Sequence, residues 1–339
     1  MTIHALTSPS TARAATGRRR LLAAGATLAL AALQALAPAH AEGQPYRLLV
    51  GFPAGGGSDA IARVLADKLK DELGAPVLVE NKPGAGGQLA AQALKTAPAD
   101  GHTLFLTHDH TVSILPLVVR TPGFDTARDF VPVAGIATFV NALAVAPGTP
   151  AKSVGDWVQW VKGPGGGKGA VGIPAPASVP EFLVKVLAQK YGLDLVAAPY
   201  RGSAPLMADM MGNQVGAGIA SIPDFIEHHR QGKLRVVAVL GPGRQPALPE
   251  VPTLGELGLP GFEETPFYGV YAPAGTPAPQ LATLGQALAK VVAQPEVRER
   301  LSAMGLNVGW QSGTQLGQRE RAYAAGWARI IKASGFQPQ

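Results

Sequence analysis

A glycine-rich loop between an apolar segment and an amphipathic segment is the part of this sequence best suited to bind a ligand. The apolar residues 48–50 lead into the loop at 51–59, and residues 60–73 then have a helical pattern. A strand–loop–helix arrangement points several backbone N–H groups at one small anion, and the helix dipole adds partial positive charge. The loop lacks the Lys-Ser/Thr ending of a nucleotide-binding loop, so it indicates a carboxylate rather than a chain of phosphates. A purely architectural turn is the alternative.

The first 41 residues have the pattern of an export signal. Arginines at positions 18–20 precede an apolar run over residues 21–37, and an A-x-A motif ends at Ala41. This order predicts cleavage after Ala41. The arginines and leucines also fit a twin-arginine signal, and general secretory export stays open. An uncleaved membrane anchor is the competing interpretation, but the apolar run is at the short limit for a bilayer span.

Composition and charge narrow the classes of function. The whole chain has a net charge of +6, and removal of residues 1–41, which hold four arginines and no acid, lowers it to +2. No basic stripe with interleaved aromatic residues remains, so nucleic-acid binding is not expected. The chain has no cysteine, which excludes disulfides, thiol catalysis and a cysteine-linked lipid anchor. The remaining length suffices for one large domain or two ordinary ones.

Strand-like and helix-like segments alternate along the chain, which predicts an α/β protein with mostly parallel sheets. The predicted strands are residues 46–51, 77–80, 103–107, 131–136, 142–146, 170–173, 195–198, 217–220, 234–240 and 267–271. The predicted helices are residues 60–73, 88–96, 153–161, 180–191, 203–211, 223–231, 279–293, 295–304 and 313–334.

Motifs for catalysis are missing, since the chain has no G-x-S-x-G elbow, no H-E-x-x-H and no cysteine nucleophile.

Short sequence blocks recur in a fixed order behind the export signal. They are V-G-F-P-A-G-G-G-S-D at 50–59, E-N-K-P-G-A-G-G at 80–87, A-D-G-H-T-L at 99–104, R-D-F-V-P-V at 128–133, P-Y-R-G at 199–202, G-K-L-R at 232–235, V-P-T-L at 251–254 and Y-A-P-A-G-T-P at 271–277. In this order they resemble the periplasmic substrate-binding receptors of tripartite tricarboxylate transporters, the Bug-type receptors. The resemblance covers almost the whole chain after residue 41.

This resemblance implies a fold and a function. The fold is α/β, a two-domain type II periplasmic-binding-protein fold with a ligand cleft between the domains. Domain 1 is expected at residues 42–141 plus 261–339 and domain 2 at 142–260, with crossings near 139–141 and 260–266. The implied protein is a periplasmic receptor, not an enzyme. It captures a small carboxylated solute by hinge closure and delivers it to membrane transporter subunits, as a monomer and without a cofactor or metal. The alternatives are an exported α/β hydrolase or lyase acting on a carboxylated substrate, and a ligand-sensing receptor for a membrane kinase.

The resemblance also implies a set of ligand-binding residues. In the family, the loop after the first strand binds a ligand carboxylate through backbone groups and ordered water. The predicted ligand-binding residues are Phe52, Ala54, Gly56, Gly57, Ser58, Asp59, Thr107, His108, Ala175, Ser178 and Tyr200. For Asp59, a role restricted to the first turn of the helix is the competing interpretation.

The sequence departs from the family pattern in two places. At 107–111 it reads T-H-D-H-T, where relatives have small residues, and His108 is expected to face the cleft and donate to an anionic ligand. A metal site at these histidines lacks an obvious third ligand. At 174–180 it reads P-A-P-A-S-V-P, so only Ser178 offers an evident polar group there. We therefore predict a ligand with one carboxylate and a less polar body.

Overall fold

The structure is a computed structural model that describes residues 43–163, 168–333 and 336–338. In these residues, helices pack against two β-sheets, each with parallel and antiparallel strands. The predicted export signal and its cleavage site after Ala41 lie outside these residues. The strands are β1 (Tyr46–Val50), β2 (Val77–Asn81), β3 (Thr103–His108), β4 (Phe130–Thr138), β5 (Asn141–Val145), β6 (Lys168–Ile173), β7 (Asp194–Pro199), β8 (Ala217–Ser221), β9 (Arg235–Val239), β10 (Phe267–Pro273) and β11 (Asn307–Ser312). The α-helices are α1 (Gly57–Leu73), α2 (Gln88–Lys95), α3 (Leu115–Val118), α4 (Thr126–Asp129), α5 (Val154–Lys162), α6 (Val179–Tyr191), α7 (Ser203–Met211), α8 (Ile222–Arg230), α9 (Ala278–Ala293), α10 (Pro295–Ala303) and α11 (Gly313–Ala333).

The pairing of the strands corrects one prediction. The first sheet has the order β11-β4-β10-β3-β1-β2, and the second has the order β7-β6-β8-β5-β9. Strand β1 pairs in parallel with β2 and β3, and β6 does so with β7 and β8. The strands β4, β5, β9, β10 and β11 pair with the other strands of these two sheets in antiparallel orientation. The prediction of mostly parallel sheets is therefore wrong, because β4, β5, β9 and β10 belong to the passages between the sheets and have no helical crossover.

Two connections join the sheets and lie side by side. The chain leaves the first sheet between Thr138 and Asn141, and it returns between Val239 and Phe267. The Phe139 N–H donates to the Pro266 carbonyl oxygen at 3.1 Å, so the outgoing and returning segments are hydrogen-bonded to each other. These passages lie near the predicted crossings. The domain limits at 42–141, 142–260 and 261–339 stay a prediction.

Helix α1 begins at Gly57, three residues earlier than predicted, and ends before Gly74. Its apolar residues Ile61, Leu65 and Leu69 recur every four positions and are buried against the first sheet. This periodicity identifies the middle of the helix but says nothing about a first turn made of glycine and polar residues. Gly74 adopts a left-handed conformation with φ of 65°, which closes the helix at little cost only for glycine.

Strand β1 is buried on both faces of the first sheet. Leu48 and Val50 pack into one apolar cluster with α1, while Leu49 between them belongs to a second cluster on the opposite face. Alternation of side chains along a strand produces this division. Each such side chain contributes about 1.5–3 kcal/mol when it is fully buried. Loop residues that follow β1 are thereby held on a rigid support.

No helix among the residues that the structure describes is long and apolar enough to cross a bilayer.

Strand β11 and the short helices α3 and α4 were not predicted. The sequence of β11, N-V-G-W-Q-S, lies at the edge of the first sheet and carries glycine and polar residues. Edge strands of this composition lack the apolar alternation that identifies a strand from sequence.

Candidate ligand-binding site

The glycine-rich loop is held in place by the Asp59 carboxylate. That carboxylate accepts hydrogen bonds from the Gly55 N–H, from Asn81 Nδ2 and from Arg63 Nε, each at 3.0 Å. Burial alone would raise the pKa of Asp59, but the hydrogen bonds from Arg63, Gly55 and Asn81 outweigh it and lower that pKa. Asp59 therefore stays ionised at neutral pH and fixes the loop against α1 and β2.

Substitution Asp59→Ala is expected to destabilise the protein by about 1–2 kcal/mol, because it leaves these donors without their shared acceptor. Unfolding by denaturant measures the effect. Asp67→Ala, on the same helix, is the matched control, since Asp67 is exposed and forms salt bridges to Lys68 and Lys70. Equal destabilisation by the two substitutions would contradict this role of Asp59.

A cavity of about 50 Å³ lies between the glycine-rich loop and the second sheet. Seven of the predicted ligand-binding residues line it, namely Phe52, Gly56, Gly57, Ser58, His108, Ala175 and Ser178. The lining residues that were not predicted are Pro53, Asp109, His110, Phe139, Asn141, Pro174, Val179, Pro180, Ser203, Ser221, Asp224 and Tyr268. Segments packed with both sheets thus contribute residues to one cavity.

Four predicted residues lie elsewhere. Ala54 is exposed at the tip of the loop. The Asp59 carboxylate is hydrogen-bonded to Gly55, Asn81 and Arg63, as described above. Thr107 is buried within β3 and does not line the cavity. Tyr200 donates its hydroxyl to Asp209 Oδ2 at 2.8 Å, and burial together with this bond raises the pKa of Tyr200 to about 12.

Aromatic rings form the wall of the cavity on the side of the first sheet. The imidazole of His108 stacks on Phe52 with ring centroids 4.9 Å apart and meets the edges of Phe139 and Tyr268 at 5.9 and 5.5 Å. The Tyr268 hydroxyl lies 3.3 Å from Ser58 Oγ. Burial, with the Asp224 carboxylate nearby, raises the pKa of Tyr268 well above its ordinary value, so its hydroxyl keeps its proton. His108 lines the cavity and can donate into it.

The second histidine of the T-H-D-H-T motif is buried more deeply. Burial, with a contribution from His108, lowers the pKa of His110 to about 4, so His110 is neutral at pH 7. Within residues 43–163, 168–333 and 336–338, no three His, Cys, Asp or Glu side chains are close enough to hold a metal ion.

The opposite wall comes from the proline-rich loop before α6. Pro174, Ala175, Val179 and Pro180 give it an apolar surface. Ser178 is buried and donates its hydroxyl to the Ala175 carbonyl oxygen at 2.6 Å, so its proton is already used within the loop. This wall is as apolar as the sequence indicated.

Polar residues of the second sheet complete the site, and the sequence analysis did not single them out. Asn141 begins β5, Ser221 ends β8, and Asp224 lies in the first turn of α8. Asp224 Oδ1 accepts a hydrogen bond from the Gly57 N–H at 2.8 Å, so the two sides of the cavity are bonded to each other. The available signal was that ligands bind at the carboxyl ends of strands, where Ser221 and Asp224 lie.

Comparison with known proteins gives the family of the chain. Residues 61–336 match the model of the tripartite tricarboxylate transporter family receptor. BugT of Bordetella pertussis is 33% identical over 267 residues, which are 77% of this chain and 80% of BugT. The structure of the periplasmic binding protein BugD superposes with a TM-score of 0.82 at 28% identity over 87% of this chain and 99% of BugD. The R. palustris protein Rpa4515 with adipate gives a TM-score of 0.81 at 29% identity over 88% of this chain and 99% of that chain.

These matches agree with the mixed α/β fold and its cleft between two sheets. They cover nearly the whole described chain and come from receptors rather than enzymes. The chain therefore belongs to the receptor family of tripartite tricarboxylate transporters and is a periplasmic solute-binding protein.

Proposed function

We propose that this receptor captures a small monocarboxylic acid with a less polar body in the cavity between its sheets. It delivers the acid to the membrane subunits of a tripartite tricarboxylate-type transporter. The observation that carries the proposal is the cavity itself, which combines the first turn of α1 with an apolar wall from 174–180. The related Rpa4515, with adipate, supports a carboxylic acid as the class of ligand.

The polar side of the cavity can bind a carboxylate although no lysine or arginine of the described residues lines it. The first-turn N–H groups of a helix have no partner inside the helix and favour an anion. Ser58 lies in that turn, and His108 and Asn141 offer further donors at the wall. Ordered water joins such donors to a carboxylate nearly as well as a direct bond does.

The apolar side of the cavity favours a body without a second carboxylate. A second carboxylate against Pro174, Val179 and Pro180 would lose its hydration without gaining hydrogen bonds. We therefore expect a branched or aromatic monocarboxylate to bind better than a small dicarboxylate. The proposed ligand-binding set keeps the seven predicted residues that line the cavity and adds Asn141, Ser203 and Tyr268 from the lining.

Hinge closure is the proposed mechanism of capture. We call each sheet with its packed helices a lobe. The two connections between the lobes are adjacent, which suits rotation of one lobe against the other. The Arg230 guanidinium donates to the Ala303 carbonyl oxygen at 2.7 Å, a contact between segments of the two lobes that opening would break. A ligand that touches both lobes shifts the population toward the closed form.

Several finer points belong to the same proposal. The mature receptor begins at residue 42 after cleavage of a signal of the twin-arginine or general secretory type. It is a monomer, with domain 1 at 42–141 plus 261–339 and domain 2 at 142–260. The export signal agrees with the periplasmic location of the family.

Thermal unfolding of residues 42–339 against a panel of acids tests the proposal. The panel contains dicarboxylates, tricarboxylates, amino acids, aromatic and branched monocarboxylates, and the amide of each monocarboxylate. An acid at a hundredfold excess over its Kd is expected to stabilise the protein by about 2.7 kcal/mol, and its amide is expected to have no effect. Stabilisation by no acid, or stronger stabilisation by small dicarboxylates than by any monocarboxylate, would overturn the proposal.

A further inference from the structure

Charge is unevenly distributed in the cavity. Its lining, as far as the structure describes it, holds no lysine and no arginine, while Asp109 and Asp224 each contribute a carboxylate. Asp109 is buried and the Tyr323 hydroxyl hydrogen-bonds to it, whereas Asp224 is half-buried. Asp224 is therefore the acidic group that remains for a ligand.

The partners of Asp224 are uncharged. The Gly57 N–H donates to Oδ1 at 2.8 Å, and the Ser221 hydroxyl donates to Oδ2 at 2.5 Å. Within the described part of the chain, the carboxylate has dipoles around it but no counter-ion. A carboxylate can accept further hydrogen bonds beyond these two, and a partly buried anion without a counter-ion attracts a cation.

This arrangement changes what the first turn of α1 can bind. The Gly57 N–H is already occupied by a carboxylate of the protein, so it is not free for the ligand. A ligand carboxylate placed beside Asp224 would add a second negative charge where desolvation strengthens repulsion. The ligand carboxylate is better placed toward Ser58 and His108, and a different group of the ligand faces Asp224.

Aromatic faces lie in the same cavity. Phe139 and Tyr268 have ring centroids 4.8 Å apart, and Phe52 stacks on His108. All of these rings line the cavity together with Asp224. The face of an aromatic ring attracts an ammonium group, and the attraction grows when water is excluded.

We propose that Asp224 makes the receptor selective for a small monocarboxylic acid that also carries an ammonium group. The ammonium group faces Asp224 and the rings of Phe52, Phe139 and Tyr268, and the apolar body lies against the 174–180 loop. This inference rests on the proposed function, because it assigns a second group to the acid bound in the same cavity. It also distinguishes this receptor from one whose ligand has a second carboxylate where the ammonium group is proposed here.

Calorimetric titration with two matched pairs of acids tests the inference. The pairs are L-valine with 3-methylbutanoate and γ-aminobutyrate with butyrate, which differ by the ammonium group alone. In the wild type, at least one ammonium acid is expected to bind about tenfold more tightly than its partner, the gain of a hydrogen bond to a charged group. In Asp224→Asn, which keeps the shape of the side chain, this ratio is expected to fall close to one. Glu227→Gln, one turn further along α8 and outside the cavity lining, is expected to keep the ratio.

The outcomes separate this inference from the function on which it rests. A ratio that stays unchanged in Asp224→Asn, or wild-type binding that is no tighter for either ammonium acid, would overturn the inference. If carboxylic acids of the wider panel still bind in that case, the receptor function stands. If no acid of either set binds, both fail. Circular dichroism and the unfolding temperature of each variant confirm that it is folded.

Discussion

Gly57→Val is expected to weaken binding of the captured acid by about a hundredfold, which corresponds to about 2.7 kcal/mol. A Cβ at Gly57 would lie 2.9 Å from Pro223 Cβ and 3.0 Å from Asp224 Oδ1, both on the opposite side of the cavity. The substitution therefore prevents the lobes from approaching as closely as they do around the cavity. Without ligand, the lobes relieve this overlap by separating, so the unfolding free energy is expected to change far less than the affinity.

Calorimetric titration with the acid identified by thermal unfolding measures the effect. Gly309→Val is the matched control, because a Cβ at Gly309 meets no atom within 4 Å and no residue of β11 lines the cavity. Gly309→Val should bind like the wild type. If Gly57→Val also binds the acid as tightly as the wild type does, binding does not depend on close approach of the lobes at Gly57.

Glu320→Gln is expected to raise the stability at pH 8 by about 2–3 kcal/mol relative to its effect at pH 4. Burial raises the pKa of Glu320 from 4.5 to about 7, although a hydrogen bond from Ser113 and the charge of Arg321 oppose the rise. A carboxyl whose pKa is raised in the folded state stabilises the fold below pH 4.5, where it is protonated in both states. This contribution is lost as the pH rises through 7, and glutamine has no such loss.

The measurement is the unfolding free energy of the wild type and the variant across this pH range. The difference between the two proteins is the relevant quantity, because the lowered pKa of His110, about 4, gives the opposite slope in both: stability is lost as the pH falls from 6.5 to 4. Glu299→Gln, at an exposed position of α10, controls for the substitution itself. A difference between wild type and Glu320→Gln that does not change with pH would show that Glu320 titrates as it does in water.

Much of the fold could be predicted from the sequence because its main elements have strong local patterns. The apolar run of β1 and the spacing of Ile61, Leu65 and Leu69 in α1 reflect burial on defined faces. The direction of strands that follow a passage between sheets has no such local pattern. β10 pairs with β3 and β4 after an excursion through the whole second sheet, and its antiparallel orientation follows from that path.

The candidate site likewise contains residues that the sequence predicted and residues that it did not. Phe52, Gly57 and His108 lie on the segments that the sequence singled out, and all of them line the cavity. Thr107 could not do so together with His108, because neighbours in a strand point to opposite faces of the sheet. Asp224 escaped prediction because an acid in the first turn of a helix usually serves that helix alone.

A crystal structure of residues 42–339 with the most stabilising acid of the panel shows directly whether the ligand binds between the two sheets. We expect the acid in the cavity between the glycine-rich loop and the 174–180 loop. Its carboxylate should lie within hydrogen-bond distance of Ser58, His108 or a water bound to them. An acid bound at any other surface, with this cavity empty and unchanged, would contradict this binding site and the capture of a ligand between the sheets.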